Sequence, residues 1–521
     1  MDRSSQIKKL KRIAEFDIVI IGGGATGLGI AVDSTTRGYK TLLVEANDFA
    51  KCTSSRSTKL AHGGVRYLAQ GDIAMVYEAL NERGLMAKNA AHLVRKQPFV
   101  IPNYNTVDGY YYSTGLKVYN WMSRSLSLGK TKFLNKEETV ERLSTLKQEK
   151  LKSGVVYFDG QFDDARFAIN LAQTAVENNA VLLNYFKATK LLKKEDGKIN
   201  GVTIFDQFTQ EKIKVKSKVV VNATGIFIDD ILKLDDKNSE QSIVHSQGVH
   251  LVVDSKHLPG KNALMIPKTS DGRVLFAVPW HKKVIIGTTD TQVDGAREEP
   301  IALEEEIEFI ITTFNKYINA TITRKDVLSV FAGLRPLAKP KGDKDSKEIS
   351  RSHKIAISAS GLVTISGGKW TTYRKMAEDT IDKIIRAHKL PDADCITKEL
   401  SIHGNVAKKS LNKKNPLHWY GADLHAIESL ENQNPAYAEK IHPNYPFTMA
   451  QVVWAVKQEF AETVEDVLAR RTRLLFLDAK AAIEAAPAVA TCMQTLKGKD
   501  NTWKDAQIKA FSKVAKHYLI S

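Results

Sequence analysis

The sequence predicts an α/β protein with three parts: a Rossmann-like dinucleotide-binding domain, an antiparallel β cap and an α-helical C-terminal domain. A strand–glycine–helix–strand unit occupies residues 16–45. Closely spaced strand patterns without intervening helices follow between 245 and 290, and helical periodicity dominates from about 395 onward. The 521 residues are enough for about two or three domains with a sizeable core.

The first unit has every part of the dinucleotide-binding βαβ motif. An apolar strand over 16–21 leads into the glycine-rich run 22–27, and a helix is predicted over 25–37. A second strand, 41–44, ends on Glu45, which is placed to accept hydrogen bonds from a ribose. A carboxylate there would repel the additional phosphate of NADP.

The glycine-rich run predicts how a pyrophosphate is bound. Gly22 permits the tight turn, Gly24 lets the backbone approach the ligand, and Gly27 allows the helix to pack closely on the strand. Ala25 and Thr26 open the helix, whose N-terminal amides and dipole favour an anion.

Later segments favour FAD over NAD as the cofactor. A buried strand ends in Ala223-Thr224-Gly225, and a strand over 362–366 is followed by Gly367-Gly368-Lys369 and a helical pattern over 371–388. This second helix N-terminus suits the flavin N1–C2=O edge, which becomes negative on reduction. The sequence has no second Gly-x-Gly-x-x-Gly, so we expect electrons to come from the substrate rather than from NAD(P)H.

Several ordered stretches carry a resemblance to a known family. They are TSSRSTKLAHGGVRYL at 53–68, FAGLRPL at 331–337, ISR at 349–351, GGKWTTYR at 367–374 and DVLARRTR at 466–473. Over about residues 16–480 the chain resembles FAD-dependent glycerol-3-phosphate dehydrogenases of the aerobic, quinone-linked type. The resemblance implies an FAD-binding domain of the glutathione-reductase/D-amino-acid-oxidase type. It also implies oxidation of sn-glycerol 3-phosphate to dihydroxyacetone phosphate by hydride transfer to flavin N5, with a membrane quinone as electron acceptor.

Two other functions remain open at this stage. One is a flavin oxidase of the same fold that uses oxygen and acts on glycerol phosphate, an amine or an amino acid. The segment between Arg335 and Arg351 lacks the long insertion of glycerol-phosphate oxidases, which favours a dehydrogenase. The other is a non-catalytic, RNA-associated FAD protein, suggested only by the positive charge. No metal site is predicted, because no EF-hand spacing occurs, in contrast to the mitochondrial members of the family.

Oxidation of a secondary alcohol needs a base and a clamp for the remainder of the substrate. His62 and His250 are the candidate bases, since a free imidazole has a pKa near neutrality. The sequence does not decide between them. The predicted catalytic residues also include Arg335 and Lys369. Lys369 is placed to stabilise reduced flavin or to bind a substrate oxygen.

The predicted phosphate clamp consists of arginines, whose planar fork binds phosphate bidentately. Arg66, Arg335 and Arg351 are the candidates, and Tyr67 is expected to line the same pocket. Taken singly, each arginine would be read as a solvated surface charge. The remaining predicted FAD contacts are Thr53, Ser54, Ser55, Ser57, Ala223, Thr224, Gly225, Gly333, Gly367, Gly368, Lys369, Trp370 and Thr371.

Six segments describe the predicted domain organisation. The FAD-binding domain takes 16–98, 150–240 and 327–394; the cap takes 99–149 and 241–326; the helical C-terminal domain takes 395–521.

Composition bounds the partners and the compartment. A net charge of +17 indicates an anionic partner, either an anionic membrane surface or a phosphorylated substrate. The basic residues are scattered and no nucleic-acid-binding motif accompanies them, so we expect no nucleic-acid partner. The basic segment 7–14 would lie on a bilayer or form a solvated arm. No apolar run is long enough to span a membrane and no h-region follows the basic N-terminus. The three widely spaced cysteines fit a reducing cytoplasm. We therefore expect a cytoplasmic protein that binds the cytoplasmic membrane peripherally, and a homodimer is one possible assembly.

Overall fold

The structure, a computed structural model, describes residues 1–64, 71–123, 126–339, 352–412 and 414–520. Its strands in chain order are β1 (Phe16–Ile21), β2 (Thr41–Val44), β3 (Leu60–Ala61), β4 (Arg95–Asn103), β5 (Lys132–Leu134), β6 (Ser153–Gln161), β7 (Val181–Leu183), β8 (Phe186–Lys193), β9 (Ile199–Asp206), β10 (Lys212–Asn222), β11 (Ile243–Asp254), β12 (Ala263–Ile266), β13 (Leu275–Trp280), β14 (Lys283–Gly287), β15 (Thr291–Val293), β16 (Val327–Ala338), β17 (His353–Ile357) and β18 (Val363–Gly367).

The α-helices lie on both faces of the first sheet, beside the second sheet and throughout the C-terminal part. They are Arg3–Arg12, Ala25–Thr36, Ile73–Asn89, Thr106–Met122, Lys136–Arg142, Asp164–Glu177, Ile228–Asp235, Glu304–Asn315, Tyr373–His388, Leu424–Gln433, Pro435–Ala438, Met449–Gln458, Leu474–Leu477, Ala479–Lys497 and Asn501–Ala515.

An eight-stranded sheet forms the dinucleotide-binding part. Its main order is β17-β18-β10-β1-β2-β7, and β8 and β9 extend it from β10. The pairs β18–β10, β10–β1, β1–β2 and β2–β7 are parallel. Because parallel strands end at the same edge, the residues after β1, β2, β10 and β18 meet there, as the glycine motifs predicted.

A ten-stranded sheet forms the cap. Its order is β15-β11-β14-β13-β12-β4-β6-β3, with β16 paired to β11 and β5 paired to β6. All of its pairs are antiparallel except β12–β4. Strands β11 and β16 run side by side from Ile243 to Val253, which places residues of β11 beside the 331–337 segment.

Strand pairing differs from the predicted boundaries at 98, 150 and 327. Strands β4, β6 and β16 belong to the cap sheet, although all or part of each falls in a segment predicted for the FAD-binding domain. These strands are apolar enough to suit either sheet, and periodicity alone does not say which partner a buried strand chooses.

The C-terminal part is helical, as predicted, and its apolar core continues into Val252, Trp280, Ile285 and Phe331 of the cap sheet. One part of it is a π-helical turn, Asp466–Arg471, followed by the short helix Leu474–Leu477. Arg473 separates them with a φ of 65°, a left-handed conformation that ends the first turn. Within the described ranges, no helix is long and apolar enough to cross a membrane.

Candidate active site

Two adjoining cavities lie where the two sheets meet. The first, with a volume of about 340 Å³, is lined by the glycine turn, Glu45 and the segment after β10, and we term it the dinucleotide cavity. The second, of about 320 Å³, lies under the cap sheet and is termed the cap cavity. Both are lined by Thr53, Pro336, Gly367, Gly368, Lys369 and Trp370.

The glycine turn, residues 22–27, contains two positions at which no side chain fits, Gly22 and Gly27. A Cβ on Gly22, whose φ is 112°, would lie 2.6 Å from the Ala223 carbonyl oxygen. A Cβ on Gly27 would lie 1.9 Å from the Gly22 carbonyl oxygen. Gly27 therefore serves packing beneath the turn, whereas Gly24, Ala25 and Thr26 line the dinucleotide cavity.

Hydrogen bonds hold the polar groups of the dinucleotide cavity in defined orientations. The Glu45 carboxylate accepts hydrogen bonds from the backbone amides of Gly23 (2.6 Å) and Asn47 (2.8 Å). The Ala25 amide donates to Ser54 Oγ (2.9 Å), and the Trp370 indole donates to the Ser54 carbonyl (2.9 Å). The segment 53–54 thus joins the first glycine turn to the second.

Arg335 lies on β16 with its guanidinium directed across the sheet. It donates to Ser246 Oγ (3.3 Å), to Thr288 Oγ1 and to the Thr289 carbonyl (both 3.2 Å). Its Nη1 is 3.5 Å from Asp290 Oδ1, and 22% of its side chain is exposed. The charge is therefore oriented at the cap cavity, which Arg335 lines.

His250 lies on β11, buried against the cap cavity. Its Nε2 is 2.8 Å from Thr58 Oγ1, and its ring stacks on Phe331 with centroids 4.9 Å apart. Burial, together with the charges of Lys59 and Arg335, holds the pKa of His250 well below its usual range. The imidazole is therefore neutral at physiological pH, and its Nδ1 has no hydrogen-bond partner among the described residues.

His62 is half-buried and lines the same cavity. Its backbone amide donates to Thr371 Oγ1 (3.3 Å), which joins the segment after β3 to the segment after β18. The next amide, of Gly63, donates to the Tyr119 hydroxyl (2.7 Å). The structure thus brings both candidate histidines, Arg335 and Lys369 to one cavity.

The other predicted residues fall into three groups. Ala223, Thr224 and Gly225 line the dinucleotide cavity, whereas Ser57, Gly333 and Thr371 line the cap cavity. Among the described residues that line the two cavities, Ser55 does not occur. It is buried, and its carbonyl accepts a hydrogen bond from the Lys59 ammonium. The third group, Arg66, Tyr67 and Arg351, lies outside the described residues.

Among the cap-cavity residues that the sequence did not predict, two are polar groups of interest, Thr58 and Arg273. Thr58 contacts His250, and Arg273 lines the cavity directly after the turn Ser270-Asp271-Gly272. The turn was a usable signal for Arg273, because a cation placed after a tight turn between two cap strands is held at the sheet edge. Nothing local distinguished Thr58 from its polar neighbours.

A glycine turn and a second Gly-Gly turn that meet at two adjoining cavities beside an antiparallel cap are the arrangement of an FAD-dependent oxidoreductase. Comparison with known families agrees: residues 17–374 match the family described as FAD dependent oxidoreductase. Residues 362–507 match the C-terminal domain of alpha-glycerophosphate oxidase.

Curated relatives are similar over almost the whole chain. The mitochondrial glycerol-3-phosphate dehydrogenase of Bos taurus is 39% identical, over 99% of this chain and 75% of that protein. That of Schizosaccharomyces pombe is 37% identical, over 99% and 89%. The solved structure of the Bacillus halodurans glycerol-3-phosphate dehydrogenase complexed with FAD has a TM-score of 0.81 and 29% identity, covering 100% of this chain and 98% of that one. The chain belongs to the FAD-dependent glycerol-3-phosphate dehydrogenase family.

Proposed function

We propose that the protein oxidises sn-glycerol 3-phosphate to dihydroxyacetone phosphate, with the substrate in the cap cavity. The observation that carries the proposal is the meeting of an oriented guanidinium, Arg335, with a neutral buried imidazole, His250, in a cavity that adjoins the dinucleotide cavity. A phosphate dianion needs the first group, and a hydroxyl proton needs a base such as the second.

The residues present fit FAD. The start of the helix Ala25–Thr36 lines the dinucleotide cavity, where its amides and dipole would favour a pyrophosphate. Glu45 offers carboxylate oxygens for a ribose, and Gly367-Gly368 line both cavities. When bound, FAD supplies the two-electron acceptor for the carbon-bound hydrogen of the alcohol.

Each cap-cavity side chain then has a proposed task. Arg335 binds the phosphate through its fork, and its hydrogen bonds to Ser246 and Thr288 keep the fork oriented. His250 or His62 accepts the hydroxyl proton. Lys369, which lines both cavities, holds a substrate oxygen or offsets developing negative charge between them.

Anaerobic titration of the FAD-loaded protein tests the proposal. Glycerol 3-phosphate should bleach the visible flavin absorption, and dihydroxyacetone phosphate should appear in equal amount. Glycerol and amino acids serve as comparison substrates. Bleaching by an amino acid but not by glycerol 3-phosphate would contradict the proposal and favour the amino-acid oxidase alternative.

We further infer that electrons pass to a quinone in a membrane that the protein contacts from one side. A group of exposed apolar side chains on neighbouring elements supports this inference, and we term it the aromatic face. It consists of Ile73, Tyr77, Val107, Tyr110, Tyr111, Val118, Trp121 and Phe133. Five of these lie on the helix Thr106–Met122, where Val107 is 74% and Trp121 is 79% exposed. Tyrosine and tryptophan favour the bilayer interface, where an apolar ring and a polar group are both accommodated.

The leader helix, Arg3–Arg12, cannot supply the apolar contact expected from the sequence. Leu10 is only 4% exposed and packs in the core of the dinucleotide-binding part. Arg3 pairs with Asp206 (2.7 Å), and the Gln6 side chain accepts a hydrogen bond from the Leu182 amide (3.3 Å). The apolar side of the helix therefore faces the protein, and only its exposed cations are available to an anionic surface.

Flotation with anionic liposomes separates these contributions. We expect the double variant Tyr110→Ser/Trp121→Ser to lose most of its flotation. Phe208→Ser, a change at an exposed aromatic that packs on Arg3 and Tyr185, should float normally. Bound FAD and melting temperature check that each variant is folded. Equal flotation of wild type and double variant would place the membrane contact elsewhere, and no flotation of the wild type would contradict the membrane inference altogether.

A further inference from the structure

A buried ion cluster joins the C-terminal domain to the turn that carries Thr58. Asp164 lies at its centre: Oδ2 accepts from the Lys59 ammonium (2.8 Å), and Oδ1 accepts from the Arg473 guanidinium (3.0 Å). All three side chains are almost fully buried. Since 309 residues separate Asp164 from Arg473 in the chain, the contact exists only because the two domains pack together.

The cluster fixes the backbone of the turn 55–59 as well as its side chains. Lys59 has a φ of 63°, and its ammonium also donates to the carbonyls of Ser55 (2.8 Å) and Ser57 (3.0 Å). Arg473 donates to the same Ser55 carbonyl (2.8 Å). Asp164 accepts from both the amide (3.0 Å) and the hydroxyl (2.7 Å) of Ser57. Removal of Arg473 would thus leave one acceptor of the turn, the Ser55 carbonyl, and one oxygen of Asp164 without this donor.

One side chain of the turn contacts His250 directly. Thr58 Oγ1 lies 2.8 Å from Nε2 of His250. The Lys59 ammonium is 5.0 Å from the centroid of the Phe331 ring, on which His250 stacks. The position of the imidazole therefore depends on a turn that the C-terminal domain helps to hold.

We propose that Arg473 is a positioning residue for the reaction: together with Asp164 and Lys59 it fixes the turn 55–59, whose Thr58 hydroxyl holds the His250 imidazole at the cap cavity. The inference rests on the proposed function, because it concerns a group that faces the substrate there. It also gives the C-terminal domain a task in the active site, although that domain contributes no residue to the lining of the cap cavity within the described ranges.

The charges around His250 predict a change in its pKa that a loss of packing alone would not cause. Among the described residues, the charged groups that act on His250 are Lys59, from the turn, and Arg335, from β16. Both disfavour the imidazolium. Arg473 shares the Ser55 carbonyl and the Asp164 carboxylate with Lys59, so its replacement by an uncharged residue lets the turn carry the Lys59 ammonium away from His250. Protonation of His250 then becomes easier, and its pKa rises.

Steady-state kinetics of the FAD-loaded variant Arg473→Met tests the proposal. We expect kcat to fall about ten- to hundredfold, with KM for glycerol 3-phosphate changed less than about threefold because Arg335 is untouched. The acid limb of kcat/KM should move to higher pH by about half to one pH unit. Arg473→Lys, which keeps the charge and a donor for Asp164, should recover part of kcat and the wild-type acid limb.

Arg470→Met is the matched control. Arg470 is equally buried in the same segment, but it pairs with Asp48 (2.5 Å), Glu465 and Asp466 (both 2.8 Å) instead of Asp164. We expect a lower melting temperature without a shift of the acid limb. An unshifted acid limb and unchanged kcat in Arg473→Met, or the same shift in Arg470→Met, would overturn the proposal.

A measurement without substrate separates this inference from the proposed function. Nuclear magnetic resonance of histidine-labelled holoenzyme, with the His250 signal assigned through His250→Gln, reports the titration of His250 directly. A midpoint that rises in Arg473→Met supports the positioning role even if another substrate proves correct, and an unchanged midpoint overturns it. Failure of glycerol 3-phosphate to bleach the wild-type flavin contradicts only the proposed function.

Discussion

Arg335→Ala should separate recognition of the phosphate from the chemistry of the alcohol. Removing one partner of a desolvated charge pair costs about 2–5 kcal/mol. The Arg335 side chain is 22% exposed, so solvent screens part of its charge, and we take the lower half of that range. A loss of about 2–3 kcal/mol corresponds to a roughly 30- to 150-fold lower kcat/KM for glycerol 3-phosphate.

The structure also indicates why this variant should stay folded. Asp290, which lies beside Arg335, retains a hydrogen bond from Ser246 Oγ, so its carboxylate is not left without a donor. The assay compares kcat/KM for glycerol 3-phosphate with that for glycerol, which has no phosphate and should change less than about threefold. Arg324→Ala is the control, since Arg324 pairs with Glu304 and Glu308 on the surface. Parallel losses on both substrates would refute the phosphate clamp and indicate a structural or flavin role.

Two further predictions concern cofactor retention and stability. Gly27→Ala would place a Cβ 1.9 Å from a carbonyl oxygen of the glycine turn, so we expect loss of bound FAD, measured by absorbance after gel filtration. Gly115→Ala is the control and should retain FAD, because Gly115 lies in a helix with open space around its Cβ position. Burial opposes protonation of His403, but hydrogen bonds to Asp423 and Glu177 outweigh it and raise its pKa to about 9. Because the folded value exceeds the unfolded value of about 6.5, this stabilisation is complete below about pH 6.5 and is lost as the pH rises through about 9. The melting temperature of His403→Gln should therefore fall below that of wild type most at about pH 6, and a gap that stayed constant to pH 10 would contradict the assignment.

The parts of the site that the sequence predicted are those in which short segments determine geometry. The glycine turn, Glu45 and the Gly367-Gly368 turn each follow a strand whose apolar run is visible in the sequence. Parallel pairing then brings their ends to one edge, whatever the rest of the chain does. The roles assigned to individual side chains there remain predictions.

The assignment of strands to sheets was less predictable. β16 contains the Phe331–Leu337 segment, which the sequence placed in the FAD-binding domain, yet it pairs along its length with β11 of the cap. Both sheets bury such strands on both faces, so a continuous apolar run does not reveal its partner. The consequence reaches the site, because this pairing places Arg335 beside Ser246 and His250 beside Phe331.

The ion cluster behind His250 was not predictable from local pattern. Arg473 stands in a basic run, Arg470-Arg471-Thr472-Arg473, that is typical of a solvated helix surface, yet all four residues are buried. A buried arginine is tolerated only where carboxylates and carbonyls meet its donors, and here those acceptors come from Asp164 and Ser55, hundreds of residues earlier in the chain. Replacing such a cluster with apolar side chains of similar volume is often neutral for stability. The charges must then be explained by what they hold in place, and in this protein they hold the turn whose Thr58 contacts His250.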